Sequence, residues 1–340
     1  MSNTCTDMVP GESTPCVHLI KSTKQGHPSF CNLPTGWVCL EWLKRNLDEI
    51  SYSSAQDFIQ CRQKYYLRKV KGLELKPEHL PEAMRLGKGW DEFMRGQYQP
   101  GYDYSAQIVR LGLNEVQWAK LSALMRVFTE LEMRITKDGY SGCQQEIHVP
   151  IESTGQQIVG IVDRTYGDHT VETKLSARPE FYQERENISF QVGTYFLGLD
   201  AWQYVDMEIT RTPSLKMRDG EDTDAYEARL FSDILSRPSY YFAGFNKKER
   251  TYGVRFWRSE FNLREVYFTF VTVLREIQQT LESGSWWKNR LACFLPSICG
   301  FHSVCKTGVI SPEIYVQREK GGEPDGRGKQ EQCDCNQDVL

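Results

Sequence analysis

No stretch of this chain is apolar for long enough to cross a bilayer. The longest, around Val266–Leu274, falls well short of the roughly 20 residues a spanning helix needs, so no membrane partner is expected. The opening Met1-Ser-Asn-Thr-Cys-Thr-Asp7 has no charged segment followed by an apolar one, and no secretory signal is expected either. No internal repeat is visible. There is no excess of positive charge: the net charge is −4 over 340 residues, which by itself points to no nucleic-acid partner. The 11 cysteines are an odd number and do not read as a disulfide framework; a reducing cytoplasm with a metal site fits better. Composition agrees with a soluble intracellular enzyme, long enough to bury one large core or a core with small appendages.

What is present is concentrated between Gly160 and Tyr195. Gln157–Val162 is apolar and β-branched and reads as a strand ending on Asp163, and Tyr166-Gly-Asp-His169 is turn chemistry. Thr170–Leu175 alternates as a second strand, so Glu172 and Lys174, two apart, point to one face. Such a hairpin gathers two carboxylates and an ammonium at one sheet edge. Close carboxylates suit a hard cation such as Mg²⁺ or Mn²⁺. A lysine beside them suits holding an attacking water and offsetting phosphate charge. Gln191 and Tyr195, four apart on a helix, share one face, expected against the hairpin. Plainer readings stand beside these: a solvated strand face with a surface ion pair for Glu172 and Lys174, and structural capping for Gln191 and Tyr195.

A second constellation is Cys293-Phe-Leu-Pro-Ser-Ile-Cys299-Gly-Phe-His-Ser-Val-Cys305, with Cys61 far upstream in Phe58-Ile-Gln-Cys-Arg62. Together the two constellations resemble the PD-(D/E)XK nuclease superfamily, specifically its RecB-like branch with an iron–sulfur cluster, as in CRISPR adaptation nucleases and phage-type exonucleases. Asp163 looks like the Asp of the family motif, Glu172-Thr173-Lys174 like its Glu-x-Lys, and Gln191 with Tyr195 like its Gln-x-x-x-Tyr helix. The likeness covers about residues 50 to 306, including the helix start at Ser51, the strand and exit Ile209-Thr-Arg-Thr-Pro-Ser-Leu-Lys216, and Trp286-Trp-Lys-Asn289.

The resemblance implies an α/β restriction-endonuclease-like core, a short mixed β-sheet flanked by helices. It implies catalysis by Asp163, Glu172 and Lys174 with Gln191 and Tyr195, and Mg²⁺ or Mn²⁺ held by Asp163, Glu172 and the Thr173 carbonyl. It further implies a 4Fe–4S cluster on Cys61, Cys293, Cys299 and Cys305. The gaps of five residues between the last cysteines are wider than the tightest in the family, and Arg62 stands where a Pro often follows the first Cys. Zn²⁺ on the same thiolates therefore stays open, as do thiols without metal. His302, inside the second gap, reads as a surface histidine, with a substitute ligand as the alternative. Relatives often place a metal-binding His on an early helix; Asp91 stands there, either as an added oxygen ligand or as a helix-surface acid. Glu146 is expected as outer-sphere support and His148 as a structural histidine.

Three segments follow: an N-terminal extension over 1–48, partly disordered; a nuclease domain over 49–309; and a polar, Gly-rich disordered tail over 310–340. The first holds Cys5, Cys16, Cys31 and Cys39 without ligand spacing and a short helix at Trp37–Leu47. Cys333-Asp-Cys335 in the tail has no reading. Helical periodicity marks Glu115–Thr136 and Leu263–Leu281; Ile147–Val149, Ile158–Val162, Val171–Leu175 and Val205–Thr212 read as strands. Arg62–Lys71 carries five cations, no acid, and Tyr65 with Tyr66; Lys247–Arg258 is a second basic run with Tyr252, Phe256 and Trp257. Such runs suit a single-strand channel, or else amphipathic elements with buried aromatics. The expected function is a metal-dependent DNA exonuclease in phage recombination, repair or end processing, in a bacterial or phage-infected cytoplasm. Its substrate is single-stranded DNA or free ends, and a single-strand annealing protein or helicase is the candidate partner. The alternative is a weak or inactive DNA-binding or scaffolding subunit.

Overall fold

The structure, a computed structural model, describes residues 48–133, 140–152, 155–294 and 298–318. The expected Trp37–Leu47 helix, the N-terminal cysteines and the Gly-rich stretch with Cys333 and Cys335 lie outside the described residues. Strand β1 (Glu49–Ser51) runs directly into helix α1 (Tyr52–Gln60). Ser51 caps it: its hydroxyl accepts from the Ser54 main-chain N–H at 3.3 Å, and the Ser54 hydroxyl accepts from the Ser51 N–H at 2.9 Å. Cys61 breaks the helix with extended backbone (φ −163°) before α2 (Arg62–Tyr65), which loosens into a π-turn over Tyr66–Val70. Strand β2 (Leu73–Leu75) leads to helices α3 (Glu82–Tyr98), α4 (Tyr104–Val109) and α5 (Glu115–Glu130). Next come β3 (Tyr140–Ile151), β4 (Gln156–Tyr166), β5 (His169–Ser176), α6 (Pro179–Gln183), α7 (Arg185–Gly198) and β6 (Tyr204–Arg211). Helices α8 (Thr223–Ser236) and α9 (Pro238–Tyr241) precede β7 (Val254–Trp257). Helices α10 (Leu263–Ser283) and α11 (His302–Thr307) and strand β8 (Tyr315–Gln317) complete the described chain.

The architecture is α/β, a mixed sheet flanked by helices. The sheet runs β1-β4-β5-β6-β7, with β3 also paired to β4. β1 and β4 pair in parallel, as do β5 and β6; β3/β4, β4/β5 and β6/β7 are antiparallel. β3 accompanies nearly all of β4, so β1 and β5 must share the other edge. β1 takes Gln157 to Val159, and β5 takes only Arg164 and Thr165. Asp163 therefore sits where β5 has parted from β4.

The sequence places the four expected strands in order, the last within one residue at each end (Tyr204–Arg211 against Val205–Thr212) and the others too short. The first was read over Ile147–Val149 and runs Tyr140–Ile151. The next was expected to end on Asp163 and continues to Tyr166, because β3 still pairs Cys143 with Arg164 and Gly142 with Thr165. The reversal is thus Gly167 and Asp168 alone. Helix α5 ends at Glu130, short of the periodic segment's Thr136, which is outside the described residues. At the other end the ordered chain outruns the expected boundary at 309: β8 pairs with β2, and Tyr315 is buried with its hydroxyl donating to the Gly300 carbonyl at 2.7 Å.

Apolar stripes assemble these parts. Val266, Phe270, Val273 and Ile277 repeat at helical spacing along α10 and pack with Phe58 of α1 and Ile50 and Ile158 of the sheet. Trp90, Leu124, Tyr226 and Leu230 join α3, α5 and α8. Val162, Val192, Phe196 and Met207 pack α7 onto the sheet. Gly193 lets α7 approach α10: a Cβ there would meet Val266 Cγ2 at 2.6 Å.

Next to Asp163, Arg164 is 1% exposed and pairs with Glu208 of β6, its guanidinium also 5.2 Å from the Tyr98 ring. Burial pushes the Glu208 carboxyl up and Arg164 opposes that shift. Replacing one partner leaves the other charge buried and uncompensated, which costs about 3–5 kcal/mol. Glu208→Ala is expected to lose stability on that scale in urea unfolding; a loss below about 1 kcal/mol would show that the pair does not hold β4 to β6.

Candidate active site

Glu172 is 4% exposed on β5 and takes three side-chain donors. Gln191 Nε2 donates to its Oε1 at 2.8 Å, Tyr195 OH donates to its Oε2 at 2.8 Å, and the Lys174 ammonium donates to Oε1. Gln191 Nε2 also reaches the Tyr195 hydroxyl at 2.8 Å. Helix α7 presents these two side chains one turn apart, while Val192 and Phe196 enter the core and Gly193 meets α10. Burial raises the Glu172 carboxyl above its ordinary value and nearby Asp163 raises it further; Lys174 and the Tyr195 hydroxyl pull it back. For Lys174, burial works against the charge, but Glu172 and Asp163 outweigh it and hold the ammonium protonated. Burial, Glu172 and Asp163 push the Tyr195 phenol far up, so it stays a donor.

Asp163 faces this group across the strand gap. Its Oδ2 accepts the Thr173 main-chain N–H at 2.9 Å, and its Oδ1 lies 3.4 Å from Gln144 Nε2 on β3. Thr173 Oγ1 is buried without a hydrogen-bond partner among the described residues. The Tyr98 phenol of α3, raised chiefly by burial, is raised further by both Asp163 and Asp91. The Tyr52 phenol, raised by burial, is drawn down by Lys174 and sits near Tyr182. Glu146 is not at the site: its side chain is 67% exposed and contacts His148 at 3.4 Å. The irregular stretch of β3 aims Gln144, not Glu146, at Asp163. Gln144, Tyr52 and Tyr182 were all missed in the sequence; only Tyr52 lay in a segment that drew attention, as a helix start.

The chemistry of the donors suits a hard divalent ion: two carboxylates flank the gap, with the main chain of Thr173 between them. Cys61, Cys293, Cys299 and Cys305 are free thiols, and Cys61 and Cys293 both contact Asn289, the Cys61 Sγ lying 3.4 Å from its main-chain N and the Cys293 Sγ 3.6 Å from its carbonyl. Burial pushes the Cys305 thiol up to about 11; Lys288 opposes, and Cys299, Cys61 and Cys293 each add to the rise. Asn289 ties the region together further, its side-chain amide donating to the Gln60 carbonyl at 2.9 Å. As they stand, no three His, Cys, Asp or Glu side chains among the described residues are grouped to hold a metal ion. Four thiols within electrostatic reach remain a donor set that either iron–sulfur or zinc accepts.

Several cations of the two basic runs are paired within the fold. Arg62 bonds Glu276 at 2.9 Å and Thr280 at 3.0 Å, while Lys64 and Arg68 converge on buried Asp57 at 2.7 and 2.9 Å. Tyr65 and Tyr66 are core residues. In the second run Arg250 pairs with Glu132, Arg255 with Asp206 and Arg258 with Asp200, and Tyr252 and Phe256 are buried. Trp257 alone of the interleaved aromatics is well exposed, at 47%. No helix among the described residues is long and apolar enough to cross a membrane. No protein-family model matches the chain, and no curated protein matches it.

The Tyr195 hydroxyl favours the charged form of Glu172, so Tyr195→Phe should raise the Glu172 carboxyl further. A carboxyl raised in the folded state stabilises the fold below its unfolded value, here the ordinary 4.5, and loses that contribution as pH rises through the folded value. The variant should therefore lose about 1.5–3 kcal/mol at neutral pH, the range for a hydrogen bond to a charged group. The loss should shrink as pH falls through the raised folded-state range of Glu172, which lies above the ordinary carboxylate value. Urea unfolding at several pH values measures it; a pH-independent loss would detach Tyr195 from the Glu172 charge.

Proposed function

We propose that this chain is a metal-dependent DNA nuclease with a restriction-endonuclease-like core, an exonuclease processing DNA ends in phage-type recombination or repair in a bacterial or infected cytoplasm. The observation that carries the reading is the buried network joining Gln191, Tyr195 and Lys174 to Glu172, opposite Asp163 where β4 and β5 part. Asp163, Glu172 and the Thr173 carbonyl are the oxygens that would hold Mg²⁺ or Mn²⁺, with Asp91 as a further candidate. When bound, the ion supplies Lewis-acid activation and neutralises phosphate charge.

The residues themselves do the rest. Gln191 and Tyr195 fix the Glu172 carboxylate, leaving it little freedom to turn. Lys174 is held protonated and supplies the positive charge that a phosphodiester requires beside two carboxylates. Its ammonium also orients the attacking water. The test is end-labelled single- and double-stranded DNA incubated with Mg²⁺, with Mn²⁺ and with EDTA. Lys174→Ala should lower cleavage by about a hundredfold or more while DNA retention persists. Cleavage that survives both that substitution and excess EDTA would sink the mechanism; retention without cleavage by the unaltered chain would move it to the scaffolding reading.

The cysteine group supports a 4Fe–4S cluster clamping the end of α1 to the C-terminal segment, with zinc as the second occupant. Anaerobically purified protein is expected to be brown and to contain iron and sulfide, with Cys299→Ser losing both and melting lower. Stoichiometric zinc in colourless protein would give the zinc reading, and protein with neither metal would end both.

A further inference from the structure

Around Asp163, Gln144 is the residue whose backbone and side chain both require explanation. It lies on β3 between Cys143, paired with Arg164, and Gln145, paired with Val162, so it stands across from Asp163. Its φ is +49°, in the left-handed region that L side chains avoid, although it lies within a strand and is only 8% exposed. A register shift between Tyr140 and Gly142 lies just before it. Irregularities of this kind re-aim side chains. Here the carboxamide nitrogen lies 3.4 Å from Asp163 Oδ1, while Oδ2 takes the Thr173 N–H at 2.9 Å. A glycine would adopt this backbone without strain. A glutamine kept there links the strain to the work of its side chain.

We infer that Gln144 is a positioning residue: its left-handed backbone aims its carboxamide at Asp163 and fixes that carboxylate across the gap between β4 and β5. The inference rests on the proposed nuclease site, but one arm of its test does not. Gln144→Gly releases the strain and removes the carboxamide; Gln144→Asn tolerates the backbone and keeps a carboxamide. In the full metal-free chain, the Thr173 amide should exchange about tenfold faster in the glycine variant, with the β5 amides bonded to β6 unchanged and the melting temperature equal or higher. The Mn²⁺ concentration for half-maximal cleavage should rise about tenfold. The asparagine variant should recover at least part of both effects. Unchanged Thr173 exchange in the glycine variant would overturn the inference, as would a general loss of protection across β3 to β5. If the unaltered chain cleaves nothing, the nuclease reading fails by itself, and Thr173 exchange alone decides the role of Gln144.

Discussion

Strand β4 gives one edge to two partners, and the gap between them is the constraint on which the site depends. β1 stops at Val159, and β5 joins only at Arg164. β5 stays paired with β6 from His169 to Ser176 after it has left β4. The strands part, and Asp163 and Glu172 approach each other without a ladder between them. The Arg164–Glu208 pair fastens the joined end to β6. Helix α7 covers the open end with Gln191 and Tyr195. Had β5 paired with β4 throughout, the Thr173 N–H would meet a main-chain carbonyl rather than the Asp163 carboxylate.

Charge in this gap is balanced rather than relieved. Glu172 is raised by burial and by Asp163, against three donors that favour its ionised form. Two like charges held close in a poorly hydrated place are a burden on the folded state, and surrounding structure must carry it. The apolar contacts of α7 and α10, drawn close by Gly193, supply that support. The same logic applies to part of the basic runs: Arg62, Lys64, Arg255 and Arg258 neutralise Glu276, Asp57, Asp206 and Asp200 in the scaffold.

Much of the scaffold was legible because it is written in periodicity. Glu172 and Lys174 declare a shared face by their spacing, Gln191 and Tyr195 a shared helical face, and α10 its stripe of Val266, Phe270 and Ile277. What was not legible depends on partners distant in sequence. Asp163 looked terminal because the apolar run stops there; β3 carries the strand on to Tyr166. Glu146 was expected as outer-sphere support, but it pairs across from Ile161 and its side chain is largely in solvent, while Gln144 stands across from Asp163. No residue type announces a left-handed φ such as that of Gln144 when it is not glycine. Strand β8 was hidden in a polar C-terminal segment, and only its pairing with β2 makes it a strand.

The pairing of β2 with β8, together with the packing of α1 on α10, joins the first described elements to the last. Phe58, Tyr65 and Leu67 can bury their apolar surface only after α10 and β8 have left the ribosome. The central sheet can form earlier, since β3 to β7 are contiguous in the chain apart from their helices. Synthesis therefore leaves the α1–α2 segment waiting with its aromatics exposed, and closure of the domain is a late, long-range event. A nascent chain halted before α10 would be expected to engage chaperones through that segment.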